Sequence, residues 1–448
     1  MISFSKKIIS GIFGTANYQK YFDNYVARNS TFLFLIHCTS ILLVFFSNYV
    51  LVKVAGTNNY GEYVYIFNLI YLLVSFCMLG LDTLLLKKAA IYNDAKNNSE
   101  FKGILFFAFF IVVISSTGVA GLFKVILYFS GKTNILAKIN WFTLSFLSLL
   151  MLSVTAFLQA ILQGMRKIVW SQAGEKLFRP LLLIIFVSAF YYFQKEISLE
   201  ILIWINVLVI GITMIIPLGI CRKVLAHKLK KVIPEYNFKG WLTTSFTFFI
   251  ADILYNCNSR VSIFLLGIFQ SKHDVGIFNI SLRISEVISF ALVIVNFVLS
   301  PIIASLYANG EIERLQNLIT RSARIILMIG SVLTLGIILF RHQILSIFGV
   351  DFLVGQHALI IFCIGQFVNI LCGSVGLLLL MTGNQRFSIY SLAGGTTINI
   401  ILNLVLTPRY GITGAAIAST SSLIVWNFMM YFFVRRRLGI RPTAFRFI

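Results

Sequence analysis

The side chains best suited to chemistry are a few charged and polar residues inside otherwise apolar segments. Asp252, Asn256 and Arg260 follow one another at intervals of four residues, which places them on one face of a helix. Arg283 and Glu286 lie one helical turn apart in the next apolar segment. Arginine keeps its charge when it leaves water, and its planar guanidinium binds phosphate through paired hydrogen bonds. Arg260, Arg283 and Asn256 are therefore predicted to bind an anionic substrate such as a phosphate or an acidic sugar.

A second interpretation of the same charges is that they neutralise one another. Asp252 can pair with Arg260 along the helix, and Arg283 can pair with Glu286. Arg283 also lies near the end of its apolar segment, where a long side chain can reach the lipid headgroups. Asp252 and Glu286 are therefore predicted to act either in ion coupling or as charge partners.

Long apolar segments must position these side chains. Hydrophobic residues make up 58% of the 448 residues and charged residues 12%, whereas soluble domains carry about 25% charged residues. The apolar runs are about 20 residues long, which is the length that crosses a bilayer as a helix. They are continuous rather than alternating, so helices are favoured over a barrel. The sequence predicts an all-α polytopic membrane protein with about 12 transmembrane helices.

The distribution of positive charge predicts the topology. Most lysines and arginines fall in the terminal segments and in every second loop, which places both termini in the cytoplasm. The net charge of +22 then faces anionic membrane lipids, and no nucleic-acid partner is expected. The longest basic loop divides the chain into predicted domains: an N-terminal six-helix lobe (1–221), a cytoplasmic linker (222–240), a C-terminal six-helix lobe (241–434) and a basic cytoplasmic tail (435–448).

Short glycine motifs recur at matching places in the two halves. Tyr60-Gly61 and Val275-Gly276 follow the first apolar run of each half, and Gly164 and Gly383 follow the fourth. An even number of crossings per repeat predicts lobes related by a pseudo-two-fold axis along the membrane normal, with substrate bound near the midplane. His37 occupies the repeat position of Asp252. Because histidine as a residue type can exchange a proton near neutral pH, this position is a candidate for ion coupling, with helix packing as the alternative.

Neither a catalytic motif nor a metal-binding motif is recognisable in the sequence. No HExxH, GxSxG or nucleotide-binding pattern is found, so we expect a transporter without catalytic residues or cofactors. Energy would have to come from the substrate gradient or from an ion gradient, with H⁺ or Na⁺ as the candidate coupling ion.

Two segments resemble signatures of polysaccharide repeat-unit flippases, which belong to the multidrug/oligosaccharidyl-lipid/polysaccharide (MOP) exporter superfamily. Residues 275–287, VGIFNISLRISEV, resemble the signature VGIYxxAxRxSE. Residues 398–418, INIILNLVLTPRYGITGAAIA, resemble NxxLNxxLIPxYGxxGAAxAT. One departure concerns Ser262, which stands where the family often has an aspartate two residues after Arg260. This substitution puts in doubt any ion-coupling role of that aspartate here.

The resemblance implies a MATE-like pair of six-helix lobes. It also implies transfer of an undecaprenyl-diphosphate-linked oligosaccharide, such as an O-antigen repeat unit, to the outer leaflet of the bacterial inner membrane by alternating access. A polysaccharide polymerase and a chain-length regulator are candidate partners, together with membrane lipids. Two alternatives stay open: a cation or drug antiporter of the same fold, and a membrane polysaccharide polymerase or ligase.

Overall fold

The computed structural model describes residues 24–95, 98–129, 139–194, 197–229 and 232–444, and every regular element within these ranges is helical. Most of the predicted polar N-terminal segment and the last four residues of the predicted tail lie outside them. The α-helices are α1 (Asn24–Met78), α2 (Leu81–Ala95), α3 (Asn98–Phe129), α4 (Ile139–Gly164), α5 (Ile168–Ala173), α6 (Arg179–Gln194), α7 (Leu199–Leu229), α8 (Phe238–Phe269), α9 (Lys272–Glu286), α10 (Phe290–Ala308), α11 (Ile312–Leu339), α12 (Arg341–Ser346), α13 (Gln356–Cys372), α14 (Val375–Met381) and α15 (Gln385–Leu438).

Twelve membrane crossings follow from the helix lengths. Within the described ranges, nine helical stretches are long and apolar enough to cross a bilayer. Helices α1 and α15 contain 55 and 54 residues, or about 80 Å of helix each, so each must supply two crossings of a layer about 30 Å thick. Helix α8 supplies the remaining crossing, although its charged and amide side chains lower its hydropathy. The predicted all-α polytopic membrane protein is confirmed.

Backbone breaks divide the two longest helices. Helix α1 loses helical geometry at Gly56 (φ 76°, ψ 165°), and helix α15 loses it at Gly411 (φ 54°, ψ −129°). Side chains with a β-carbon are strained at positive φ, so glycine is the residue that allows each break. A second type of irregularity is the π-turn Gly174–Phe178, which joins α5 to α6. A π-turn accommodates one more residue than an α-helical turn.

The helices pack as two compact units, which are described separately. The N-terminal unit comprises Thr39–Arg260. Its core is a cluster of buried side chains from α1 to α4, from α7 and from the start of α8, including Leu84, Phe101, Ile161 and Trp241. Phe107 contacts Trp241 with ring centroids 5.4 Å apart. This apolar packing holds the start of α8 against the first helices of the chain.

Among the described residues, the C-terminal unit comprises 24–38 together with 261–444. Its core includes Ile303 of α10, Ile319 of α11, Leu378 of α14 and Val434 of α15. Ile440, beyond the last helix, is also fully buried in this cluster. The C-terminal unit therefore buries apolar side chains from most of its helices in one core.

Whereas the cytoplasmic linker 222–240 stays a prediction, the division between the two compact units falls inside α8, at residue 260. The reason is packing on both sides of residue 260. Residues up to Arg260 contact the N-terminal unit, where the Ser245 hydroxyl donates to the Leu79 carbonyl. The segment after α7 also packs there, since Lys102 Nζ donates to the Val232 carbonyl at 2.8 Å. The hydrogen bonds of Ser262 are formed in the C-terminal unit.

Candidate functional site

A polar cavity of about 170 Å³ lies within the N-terminal unit. Its walls come from α1, α2, α4, α8 and the π-turn between α5 and α6. Within the described chain, the residues lining it are Tyr71, Val74, Ser75, Met78, Asp82, Leu152, Thr155, Ala156, Gln159, Glu175, Asp252, Asn256 and Arg260. The cavity brings together ionisable and amide side chains from segments far apart in the sequence. Because ionisable groups are costly inside a membrane, this cavity is the first candidate site.

One face of α8 supplies three of the predicted residues, and all three line the cavity. Asn256 Nδ2 donates to the Asp252 carboxylate at 3.0 Å, which orients that carboxylate. Arg260 Nη1 donates to Asn68 Oδ1 at 2.9 Å, and the guanidinium lies 4.7 Å from the centre of the Tyr71 ring. A hydrogen bond and a cation–π contact thus hold the Arg260 guanidinium in place at the cavity wall.

A second arginine, Arg179, approaches the other polar groups from α6. Only 8% of its surface is exposed. It donates to the Tyr71 hydroxyl and, at 3.1 Å, to Asn206 Oδ1, and Asn206 in turn donates to the Tyr63 hydroxyl. The Arg179 guanidinium lies 5.4 Å from the centre of the Tyr71 ring, so that Tyr71 contacts two guanidinium groups. Sequence reasoning missed Arg179 because it stands at the end of a basic loop and directly precedes an apolar run.

Three carboxylates line the same cavity. In addition to Asp252, they are Glu175 of the π-turn, which accepts a hydrogen bond from Gln159 at 3.1 Å, and Asp82 of α2. Asp82 Oδ1 is buried, and none of the described residues donates a hydrogen bond to it. The cavity wall therefore presents anionic and cationic groups together. Such a wall can hold a phosphate through arginine and can hold a proton or a cation through the carboxylates.

The other predicted site residues lie in the C-terminal unit. Arg283 and Glu286 form an ion pair of 2.9 Å on α9, and their side chains are 44% and 43% exposed. This geometry is the one expected if Arg283 and Glu286 neutralise each other's charge. His37 lies against Phe297 with ring centroids 4.7 Å apart. The roles predicted for Arg283, Glu286 and His37 remain predictions, and the structure does not bring these three side chains to the cavity of the N-terminal unit.

Ser262 belongs to a buried network of neutral groups in the C-terminal unit. Its hydroxyl donates to Asn399 Oδ1 at 3.0 Å and accepts from Asn403 Nδ2 at 2.9 Å and from the Ser419 hydroxyl at 2.7 Å. Asn403 Oδ1 accepts from the Thr407 hydroxyl at 2.9 Å. Hydroxyl and amide groups satisfy one another's hydrogen-bonding capacity at this position. The network has the chemistry of helix packing within lipid.

Comparison with known families gives two matches. The family described as polysaccharide biosynthesis protein matches residues 26–307, which is more than half of the chain. The family described as MatE matches residues 248–405. The two matches overlap in the middle of the chain and together extend over both compact units.

Among curated proteins, the chain is similar to the probable low-salt glycan biosynthesis flippase Agl15 of Haloferax volcanii. The identity is 23% over 168 residues, or 37% of this chain and 36% of that protein. The chain therefore matches about a third of the length of this curated relative. Such a match is too short and too distant to assign its activity.

Solved structures match nearly the whole chain. An inward-facing multidrug resistance MATE family transporter of the MOP superfamily has a TM-score of 0.69 at 13% identity, covering 90% of this chain and 94% of that chain. The lipid II flippase MurJ, in an inward closed conformation, has a TM-score of 0.64 at 16% identity, covering 90% of this chain and 87% of that chain. These likenesses confirm the predicted MATE-like fold with twelve transmembrane helices.

Proposed function

The chain belongs to the polysaccharide biosynthesis protein family, and we propose that it is a flippase that moves a lipid-linked oligosaccharide across the bilayer. Family membership, the fold shared with MOP transporters and the flippase identity of two relatives support this proposal. We propose further that the lipid is undecaprenyl diphosphate, that the sugar is an O-antigen or similar repeat unit, and that transfer runs from the cytoplasmic to the outer leaflet of a bacterial inner membrane. Both termini would then be cytoplasmic.

The observation that carries the proposal is the arginine at the wall of the polar cavity. Arg260 is held by Asn68 and Tyr71 with its charge facing an interior space. Guanidinium groups suit phosphate because they supply paired N–H donors. At about 170 Å³ the cavity is smaller than ordinary ligand pockets of about 300–1,000 Å³. It therefore suits a diphosphate group better than a sugar repeat unit.

The carboxylates of the cavity are candidates for coupling transport to an ion gradient. Asp252 lies on the same helical face as Arg260, and Asp82 and Glu175 line the same space. We propose that protonation of one of these groups, or Na⁺ binding to them, accompanies binding of the lipid diphosphate. Ionised carboxylates repel an anionic substrate in a confined space. A proton or cation bound to them would reduce this repulsion and favour entry of the substrate.

Transport by the purified full-length chain in proteoliposomes tests the proposal. A fluorescent undecaprenyl-diphosphate-linked oligosaccharide is placed in one leaflet, and its arrival in the other is followed by a membrane-impermeant quencher. We expect transfer by the native chain and strongly reduced transfer by Arg260→Ala. Arg314→Ala is the matched control, because Arg314 is 72% exposed and pairs with Glu311 at the surface. Transfer no faster than in empty liposomes would overturn the proposal.

A second candidate function is a cation or drug antiporter of the same fold. The observation in its favour is the set of three carboxylates, Asp82, Glu175 and Asp252, around one cavity. Drug susceptibility of a deletion strain separates the two functions. An antiporter predicts greater sensitivity to cationic drugs with normal surface polysaccharide. A flippase predicts unchanged drug sensitivity, loss of surface polysaccharide and accumulation of the lipid-linked glycan on the inner leaflet. A polysaccharide polymerase and a chain-length regulator would act on the glycan after its transfer.

A further inference from the structure

A second cavity, of about 640 Å³, lies in the C-terminal unit at the place where both ends of α15 meet. It is lined by the turn before α15, by the first residues of that helix and by Arg437 in its last turn. The two ends can meet because α15 breaks at Gly411. The C-terminal end of α15 lies in the tail that the charge distribution predicts to be cytoplasmic, so the pocket is expected at the cytoplasmic membrane surface. Its volume is that of an ordinary ligand pocket.

The pocket has the electrostatics of an anion site. Its charged side chains are Arg386 and Arg437, and among the described residues lining it there is no carboxylate. Arg386 lies in the first turn of α15, whose N-cap residue Asn384 makes no side-chain capping bond. The first backbone N–H groups of a helix favour negative charge, which adds to the field of the two arginines.

Aromatic side chains hold one arginine in position. The Arg437 guanidinium lies 4.9 Å from the centre of the Phe387 ring. Phe387 packs against Phe433 at 4.7 Å and against Tyr390 at 6.2 Å between ring centres. A guanidinium that lies over a ring keeps its N–H edge available for an oxyanion. Ordering of this side chain before binding lowers the entropy that a ligand must overcome.

We propose that this pocket binds the phosphate group of a membrane lipid at the cytoplasmic surface. Two arginines near a helix N-terminus suit a phosphate, and an exposed tyrosine at the rim suits the headgroup region of the bilayer. This residue is Tyr390, which is 57% exposed. Basic pockets on the cytoplasmic side of helix bundles are suited to lipid phosphates. The site is separate from the polar cavity of the N-terminal unit and would act as a lipid sensor or as an entry point.

The test compares two double variants with equal loss of charge. Arg386→Gln with Arg437→Gln removes both arginines of the pocket. Arg435→Gln with Arg436→Gln is the control, because both residues lie in the same helical turn as Arg437 but do not line the pocket. The control also removes one cation–π contact, since Arg436 lies 5.3 Å from the centre of the Phe432 ring. The two variants therefore match in the number of charges removed and in the loss of one cation–π contact.

Lipid binding to the purified full-length chain is measured by native mass spectrometry with phosphatidylglycerol, phosphatidylcholine, undecaprenyl diphosphate and inorganic pyrophosphate. We expect the pocket variant to weaken binding of an anionic lipid at least about tenfold, and the control variant to change it less than about threefold. Replacement of the pocket pair by lysine should retain part of the affinity. Thermal unfolding of all variants verifies that they are folded.

The probes distinguish the sources of the phosphate. Preference for phosphatidylglycerol would identify a bulk anionic lipid, and preference for undecaprenyl diphosphate would identify the carrier lipid; either result supports the proposal. Equal losses in the pocket and control variants would overturn it, because binding would then follow charge alone. Pyrophosphate bound as tightly as either lipid would also overturn it. Since no transport is measured, failure here leaves the flippase proposal standing.

Discussion

Replacing Arg260 by alanine is the most direct test of the polar cavity. The change removes a charge-assisted hydrogen bond to Asn68 at 2.9 Å and a cation–π contact with Tyr71 at 4.7 Å. Together these contacts contribute about 2–4 kcal/mol at most to the folded state. If the same guanidinium binds a diphosphate, transport also loses about 1.5–3 kcal/mol of substrate interaction, or roughly 10- to 150-fold in rate at low substrate.

The assay measures transfer in proteoliposomes together with the amount of folded protein in the membrane. Arg260→Lys retains the charge but not the planar fork, so we expect it to restore part of the rate. Asn68→Ala keeps the guanidinium but removes its hydrogen-bond acceptor, together with a bond from Asn68 to the Val64 carbonyl. We expect a smaller loss of transport than for Arg260→Ala. A rate that falls only in proportion to the folded protein would refute the reasoning, as would an unchanged rate in Arg260→Ala.

Three further predictions concern packing around the cavity and in the C-terminal unit. Gly80→Ala should abolish recovery of folded protein, measured by size-exclusion chromatography in detergent, because Gly80 has φ +72° and a β-carbon there would meet the Ser245 carbonyl. Tyr71→Phe should lower the midpoint of thermal unfolding, because the buried Arg179 loses an acceptor worth about 1–3 kcal/mol, while transport falls less than in Arg260→Ala. Asn403→Ala should destabilise the chain by about 0.6–2 kcal/mol in denaturation assays without changing the transport rate per folded molecule. A large change in that rate would instead assign the hydrogen-bond network around Ser262 to transport.

Much of the architecture was predictable because the bilayer imposes a length on every helix. Continuous apolar runs therefore indicated the crossings even where α1 and α15 each join two of them. The spacing of Asp252, Asn256 and Arg260 indicated a common face because a regular helix repeats every 3.6 residues. All three side chains line one cavity. The crossings and the shared face of α8 were therefore predictable from local periodicity alone.

The rest of the cavity depends on tertiary contacts that no local pattern encodes. Arg179, Tyr71 and Asn206 come from three helices, and their hydrogen bonds exist only after those helices pack. Tyrosine is common among the apolar residues of this chain, so Tyr71 carried no signal of its own. Arg283, in contrast, was a candidate from sequence alone, yet its partner is Glu286 on the same helix.

The π-turn at Gly174–Phe178 bears on how relatives of this chain should be aligned. The Arg179 N–H bonds to the Gly174 carbonyl, five residues earlier, so this turn holds one residue more than a regular helix. A relative that lacks this residue would have α5 rotated by about 100° relative to α6. A different side chain would then stand where Glu175 meets Gln159. A single-residue gap at this place in an alignment would therefore mark an evolutionary change in the cavity wall.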